Sequence, residues 1–146
     1  MRKLNILVTG AGSGVGQSII KSLNISKIKL RIICADISYH NAALYRSKNT
    51  IIVPKSERPG ALKWYLSNLK KFKIDILMVG SEYDLVFFSK NKKIIKKHTN
   101  CEVCVSDIAL VKMANDKYLT QEFLKKNGLA YLKTFVPKNL KEALHD

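Results

Sequence analysis

The sequence predicts an α/β fold: an open parallel sheet of about five strands with helices on both faces. Three features lead there. Short runs rich in β-branched residues alternate with segments of helical period from Leu4 to Val105. A glycine cluster joins the first run to the first helical segment, as a tight strand-to-helix turn requires. Composition is that of a globular domain, with 47% hydrophobic and 25% charged residues in a chain of 146.

In order along the chain, Leu4–Val8 is a short apolar run of the kind found in buried parallel strands. Val15, Ile19, Ile20 and Leu23 then recur at helical spacing. Leu30–Ala35 is a second strand ending at Asp36, and Thr50–Val53 is a third, stopped by Pro54. Leu62, Tyr65, Leu66 and Leu69 follow the i, i+3, i+4, i+7 pattern and predict a helix over 60–72. Ile74–Val79 is a fourth strand, closed by Gly80. A helix over 83–97 starts apolar and ends basic, where Lys96, Lys97 and His98 complement the negative end of its dipole. Glu102–Val105 is a fifth strand, and Ser106 or Asp107 caps a short helix through Met113.

The rhythm changes at Asn115, which places a domain boundary between 1–114 and 115–146. Asp116 is a natural N-cap for a helix over 117–127, with Gly128 beyond its end. Leu129–Val136 reads as extended, and a further helix is expected over 138–145.

The bulk properties narrow the function. A formal charge of +15 can attract polyanions. The excess is mostly scattered lysine, without the interleaved aromatics or repeated arginines that suit base stacking or base reading, so nucleic acid is disfavoured as a partner. No apolar run approaches the roughly 20 residues of a membrane span, and no signal peptide is recognised, so a cytoplasmic location without membrane contact is expected. Cys101 and Cys104 have CxxC spacing, but within a strand residues three apart face opposite sides. With no second pair and three scattered histidines, no metal site is expected.

In parallel sheets ligands gather at the carboxyl ends of the strands. Those ends fall at Thr9–Gly16, Asp36–His40, Pro54–Glu57, Gly80–Asp84 and Ser106–Asp107. In Thr9-Gly10-Ala11-Gly12-Ser13-Gly14-Val15-Gly16, glycines admit a close ligand and free amides at the helix start favour an anion. The GxGxxG spacing fails, because Val15 or Gln17 stands at the third glycine place. Gly10, Gly14 and Gly16 instead resemble the TGxxxGxG turn of short-chain dehydrogenases, which implies NAD(P) binding with Asp36 on a ribose. No tyrosine has a lysine four residues on, so that family's catalytic pair is absent. The plainer alternative is a glycine turn that only packs helix against strand, with Asp36 capping the next loop.

The second half carries a more specific likeness. Val105-Ser106-Asp107, Met113-Ala114-Asn115-Asp116-Lys117-Tyr118 and Phe123-Leu124-Lys125-Lys126-Asn127-Gly128-Leu129 resemble the segment that leads into the ATP-binding fold of ATP-grasp ligases. Biotin carboxylases and carbamoyl-phosphate synthases are the members meant. Leu132, Lys133 and Thr134 stand where that family often has a proline. The resemblance implies a Rossmann-like pre-ATP-grasp domain followed by the first elements of an ATP-grasp domain. It implies a ligase that uses ATP and Mg²⁺ to activate a small carboxylate for an amine, through parts that do not follow Asp146. Lys117 corresponds to a residue that reaches the nucleotide phosphates, while Ser81 and Glu82 face the substrate. Alone, this chain is expected to be catalytically silent and to hold no cofactor tightly. Each residue also has an ordinary role open to it: an exposed lysine, or first-turn residues of a helix. A binding module, a split subunit whose partner supplies the rest, and a homo-oligomer stay open.

Overall fold

A computed structural model of the protein describes residues 2–138. It divides into two compact units, the first ending at Ser106 and the second beginning at Asp107. The helix expected over 138–145 lies, Lys138 apart, outside the described residues.

The first unit runs β1 (Leu4–Thr9), α1 (Gly14–Asn24), β2 (Leu30–Asp36), α2 (Ala42–Tyr45), β3 (Thr50–Ile52), α3 (Ala61–Lys71), β4 (Ile76–Val79), α4 (Glu82–Thr99) and β5 (Glu102–Cys104). Its five strands form one sheet in the order β3-β2-β1-β4-β5, every pair parallel. This is the open Rossmann-like sheet expected from the sequence. β4 starts at Ile76 because Ile74 still closes the turn after α3, its N–H donating to the Leu69 carbonyl at 2.9 Å. The four-residue helix α2 was not foreseen.

The alternation of side chains along a strand divides the core. Leu7, Ile33, Ala35 and Leu77 point to the face covered by α3 and α4, where Tyr65, Leu69, Phe88 and Ile95 meet them. Cys34, with Ile32 and Ile52, points to the other face, against Ala11, Ala43, Leu44 and Ile20. An aromatic cluster anchors the larger side: Tyr65 meets Phe88 edge-on at 5.0 Å between ring centres, and Phe87 meets Phe88 at 5.1 Å. Such pairs add about 0.5–1.5 kcal/mol beyond the area they bury.

In the second unit α5 (Ile108–Asn115) packs against α6 (Lys117–Lys126). Asp116 caps α6, its carboxylate accepting the Leu119 N–H at 3.0 Å, and Gly128 follows with φ +67°. Both features match the sequence expectation. Residues 129–137 join no sheet ladder; the Thr134 N–H donates to the Gln121 side chain instead. Among the described residues, no helix is long and apolar enough to cross a membrane.

The glycines of the first turn do different work. A Cβ on Gly16 would sit 2.1 Å from the Gly10 carbonyl oxygen, whereas one on Gly14 would meet nothing within 4 Å. Gly16→Ala should therefore destabilise by about 1–3 kcal/mol through overpacking. Gly14→Ala should stabilise by about 0.4–1 kcal/mol, because it narrows the unfolded ensemble. Urea unfolding of the two variants should move the midpoint in opposite directions.

Candidate functional site

α1 covers one face of the sheet and α4 the other, so the chain leaves β1 and β4 in opposite directions. Where neighbouring strands part this way, a crevice opens at their carboxyl ends. A cleft of about 500 Å³ lies there. Its walls are Gly10, Gly12 and Ser13 after β1; Asp36 at the end of β2, with Ile37 and Asn41 beyond it; Val53 and Lys55–Glu57 after β3; and the N-cap Ser81 with Tyr83 and Asp84 in the first turn of α4.

The residues singled out from the sequence separate here. Gly10, Gly12, Asp36 and Ser81 line the cleft. Gly16 is buried beneath it, Gly14 opens onto a different surface hollow, and Glu82 is exposed outside it. Lys117 lies in the second unit as the first residue of α6, exposed beside its Asp116 cap.

The first turn is closed by the protein's own groups. The Gly12 N–H donates to Asp36 Oδ2 at 3.0 Å, and Asn41 Nδ2 donates to the same oxygen at 2.9 Å. Asp36 Oδ1 accepts the Ile37 N–H at 2.8 Å. The Asn41 side chain lies directly over Gly12, so that a Cβ there would fall 1.5 Å from Asn41 Nδ2. The same Asn41 caps α2 by accepting the Ala43 N–H at 3.1 Å. Farther along, the Gly16 N–H donates to Ser13 Oγ at 2.9 Å, and the Ser13 hydroxyl donates to the Gly80 carbonyl. Amides that could meet an anion at the head of α1 are thus in part committed internally.

Asp84 is the residue the sequence reading passed over. It lies in the first turn of α4 with 9% of its surface exposed, and the Ser56 hydroxyl donates to its Oδ1. The Thr9 hydroxyl is fully buried without a hydrogen-bond partner, yet faces the Asp84 carboxyl closely enough to favour its charged form. Burial dominates and raises the Asp84 pKa above the ordinary 3.8, and Asp36 and Glu57 raise it further. Burial likewise raises the Tyr65 phenol, with the Asp84 charge adding to the effect. Three carboxyls therefore share the cleft with one cation, Lys55. The turn geometry favours an anion, and the side chains around it oppose one.

A carboxyl with a raised pKa in the folded state binds its proton more tightly there than in the unfolded chain. Its ionisation then weakens the fold as pH rises from 3.8 through the raised value. Asp84→Asn, which keeps an acceptor for Ser56, should raise the melting temperature at neutral pH. The gain should vanish in acid below 3.8, where the native carboxyl is protonated in both states. Calorimetry across that range reads both arms.

No family model and no curated protein matches the sequence. Solved structures do resemble the fold. N5-carboxyaminoimidazole synthetase from Staphylococcus aureus, complexed with ADP, superposes with a TM-score of 0.58 at 18% identity, covering 86% of this chain and 30% of that one. The biotin carboxylase domain of a thermophilic 2-oxoglutarate carboxylase, bound to bicarbonate, gives 0.58 at 11% identity over 96% of this chain and 32% of its own. A 4-hydroxyisoleucine dehydrogenase complexed with NADH gives 0.52 at 16% identity, covering 86% and 68%. The chain thus spans about a third of the length of the two ligase-type structures. At these identities the likeness is one of fold, which ATP-dependent ligases and NAD(P)-dependent dehydrogenases share.

Proposed function

We propose that this chain is the amino-terminal portion of an ATP-dependent carboxylate–amine ligase of the ATP-grasp type. The observation that carries the reading is the second unit. A short helix leads to an Asp116-capped helix opening on Lys117 and closing at a left-handed Gly128, as the sequence likeness requires. Around it Phe123, Leu129, Leu132, Phe135 and Val136 are exposed, an apolar surface that further protein would cover. The ligase-type structures support the same reading, one of them following this chain over 96% of its length.

In such a ligase the carboxylate is activated as an acyl phosphate at the expense of ATP, and the amine then displaces phosphate. The described residues offer the triphosphate one candidate partner, Lys117, and contain no group of three or more His, Cys, Asp or Glu that could hold a metal ion. On this reading the nucleotide and Mg²⁺ would be held by the remainder of the enzyme. The first unit contributes the cleft.

The second reading, an NAD(P)-binding module, draws on the glycine turn and on Asp36 at the end of β2. Against it stand Asn41 over Gly12 and the three N–H groups already on Asp36.

Two measurements separate the readings. NADH and NADPH should leave the melting temperature of this chain unchanged, in the wild type and in Asn41→Ala alike. A ligand in about hundredfold excess over its Kd stabilises by about 2.7 kcal/mol, so stabilisation of that size by NADH would favour the dinucleotide module. The natural protein carrying this segment, given ATP, Mg²⁺, hydroxylamine and a panel of small carboxylates, should form a hydroxamate from the trapped acyl phosphate. ATP turnover without hydroxamate would overturn the ligase reading.

A further inference from the structure

We propose that the cleft between the ends of β1 and β4 takes a small molecule bearing a primary amine, with Asp84 as the group that receives it. The inference rests on the ligase reading and deepens it, by giving the amine substrate a place in the first unit.

Charge is the first argument. Asp36, Glu57 and Asp84 line the cleft against Lys55, so the local charge runs against the +15 of the whole chain and favours a cation at this wall. The three carboxyls are not equivalent. Asp36 already accepts three N–H groups and holds the turns after β1 and β2 in place. Glu57 is exposed at the rim. Asp84 is nine-tenths buried and forms no ion pair with a lysine or arginine among the described residues.

The second argument is the incomplete set of partners around Asp84. An ionised carboxylate accepts about four hydrogen bonds, and Ser56 supplies one. Thr9 stands against it with a fully buried hydroxyl near enough to favour its charge but short of a well-formed hydrogen bond. Buried polar atoms are nearly always satisfied, so a carboxyl at a cleft wall whose nearest buried hydroxyl is poorly bonded marks an arrangement that a ligand finishes. An ammonium brings three donors and the missing positive charge. A sugar hydroxyl or a neutral amide would bring donors without the charge. A metal ion is a poor occupant, because no group of three or more metal-capable side chains exists among the described residues.

The test uses this chain and matched pairs of probes at constant ionic strength: glucosamine against glucose, and ethanolamine against ethylene glycol, with inorganic phosphate alongside. Glucosamine and ethanolamine should raise the melting temperature in a saturable way, and their hydroxyl analogues and phosphate should not. Asp84→Asn should weaken amine binding by about ten- to a hundredfold, the loss expected for a hydrogen bond to a charged group. Glu82→Gln, two residues away but outside the cleft, should leave it unchanged. Asp84→Asn is expected to be at least as stable as the wild type, so loss of binding cannot be put down to misfolding, and near-UV circular dichroism confirms it. The proposal is overturned if neither amine binds, if glucose matches glucosamine, if phosphate binds in their place, or if Asp84→Asn keeps wild-type affinity. Hydroxamate formation needs no amine site. A protein that forms it but fails these binding tests is a ligase without this site, and NADH binding would reject the ligase reading itself.

Discussion

Three backbone segments approach one another at the head of α1 with no side chain between them. The Gly16 Cα lies under Gly10, and Gly80 at the end of β4 comes so near that a Cβ on it would be 2.4 Å from the Thr9 carbonyl oxygen and 2.7 Å from the Gly16 Cα. Gly10, at φ +54°, makes the turn that permits this. With the Ser13 hydroxyl reaching the Gly80 carbonyl, the contact ties β1, α1 and β4 into one node. The position of α4, and with it of Ser81 and Asp84, follows from where β4 ends. The cleft has its shape because the node is small.

What lies above the node is a set of polar groups that does not serve packing alone. The aromatic cluster of Tyr65, Phe87 and Phe88 fills the space behind α4 as a core should. Asp84 stands on that same helix face, one turn before Phe88, where an apolar residue would serve the fold better. A carboxyl held where its charge is disfavoured, next to a hydroxyl without a partner, is the kind of local inconsistency that collects at functional sites. Asp36 is the contrast: saturated by its neighbours, it acts as a brace between two turns.

Much of this was legible in the residues themselves. Helix period marked α3 and α6, apolar runs marked the strands, and Asp116 and Gly128 marked the ends of α6 because caps have chemistry of their own. α2 escaped because four residues are too few to show a period. The role of Asn41 escaped because it depends on Gly12 and Asp36, which meet it only in the fold. That Asp84 and not Glu82 turns inward is readable from the helix. The buried residues of α4 include Asp84, Phe88 and Ile95, spaced by four and seven, so the helical phase that places the two apolar residues inside also places Asp84 with them. Glu82 lies more than half a turn away from that face. Which glycines make room and which merely bend the chain was not readable at all, since Gly14 and Gly16 differ only in what lies opposite them.

The strand order has a consequence for how the chain is born. β1, β2 and β3 can assemble in sequence as they leave the ribosome, each pairing with the one before. The other edge of β1, first to emerge and central in the finished sheet, must wait for β4, whose residues pair with Ile6–Thr9 only once Ile76–Val79 have been made. Until then a row of unpaired amides and carbonyls beside Leu7 and Val8 is available to any passing strand. Slow synthesis of α3 would prolong that interval, a hazard that the stability of the finished fold does nothing to remove.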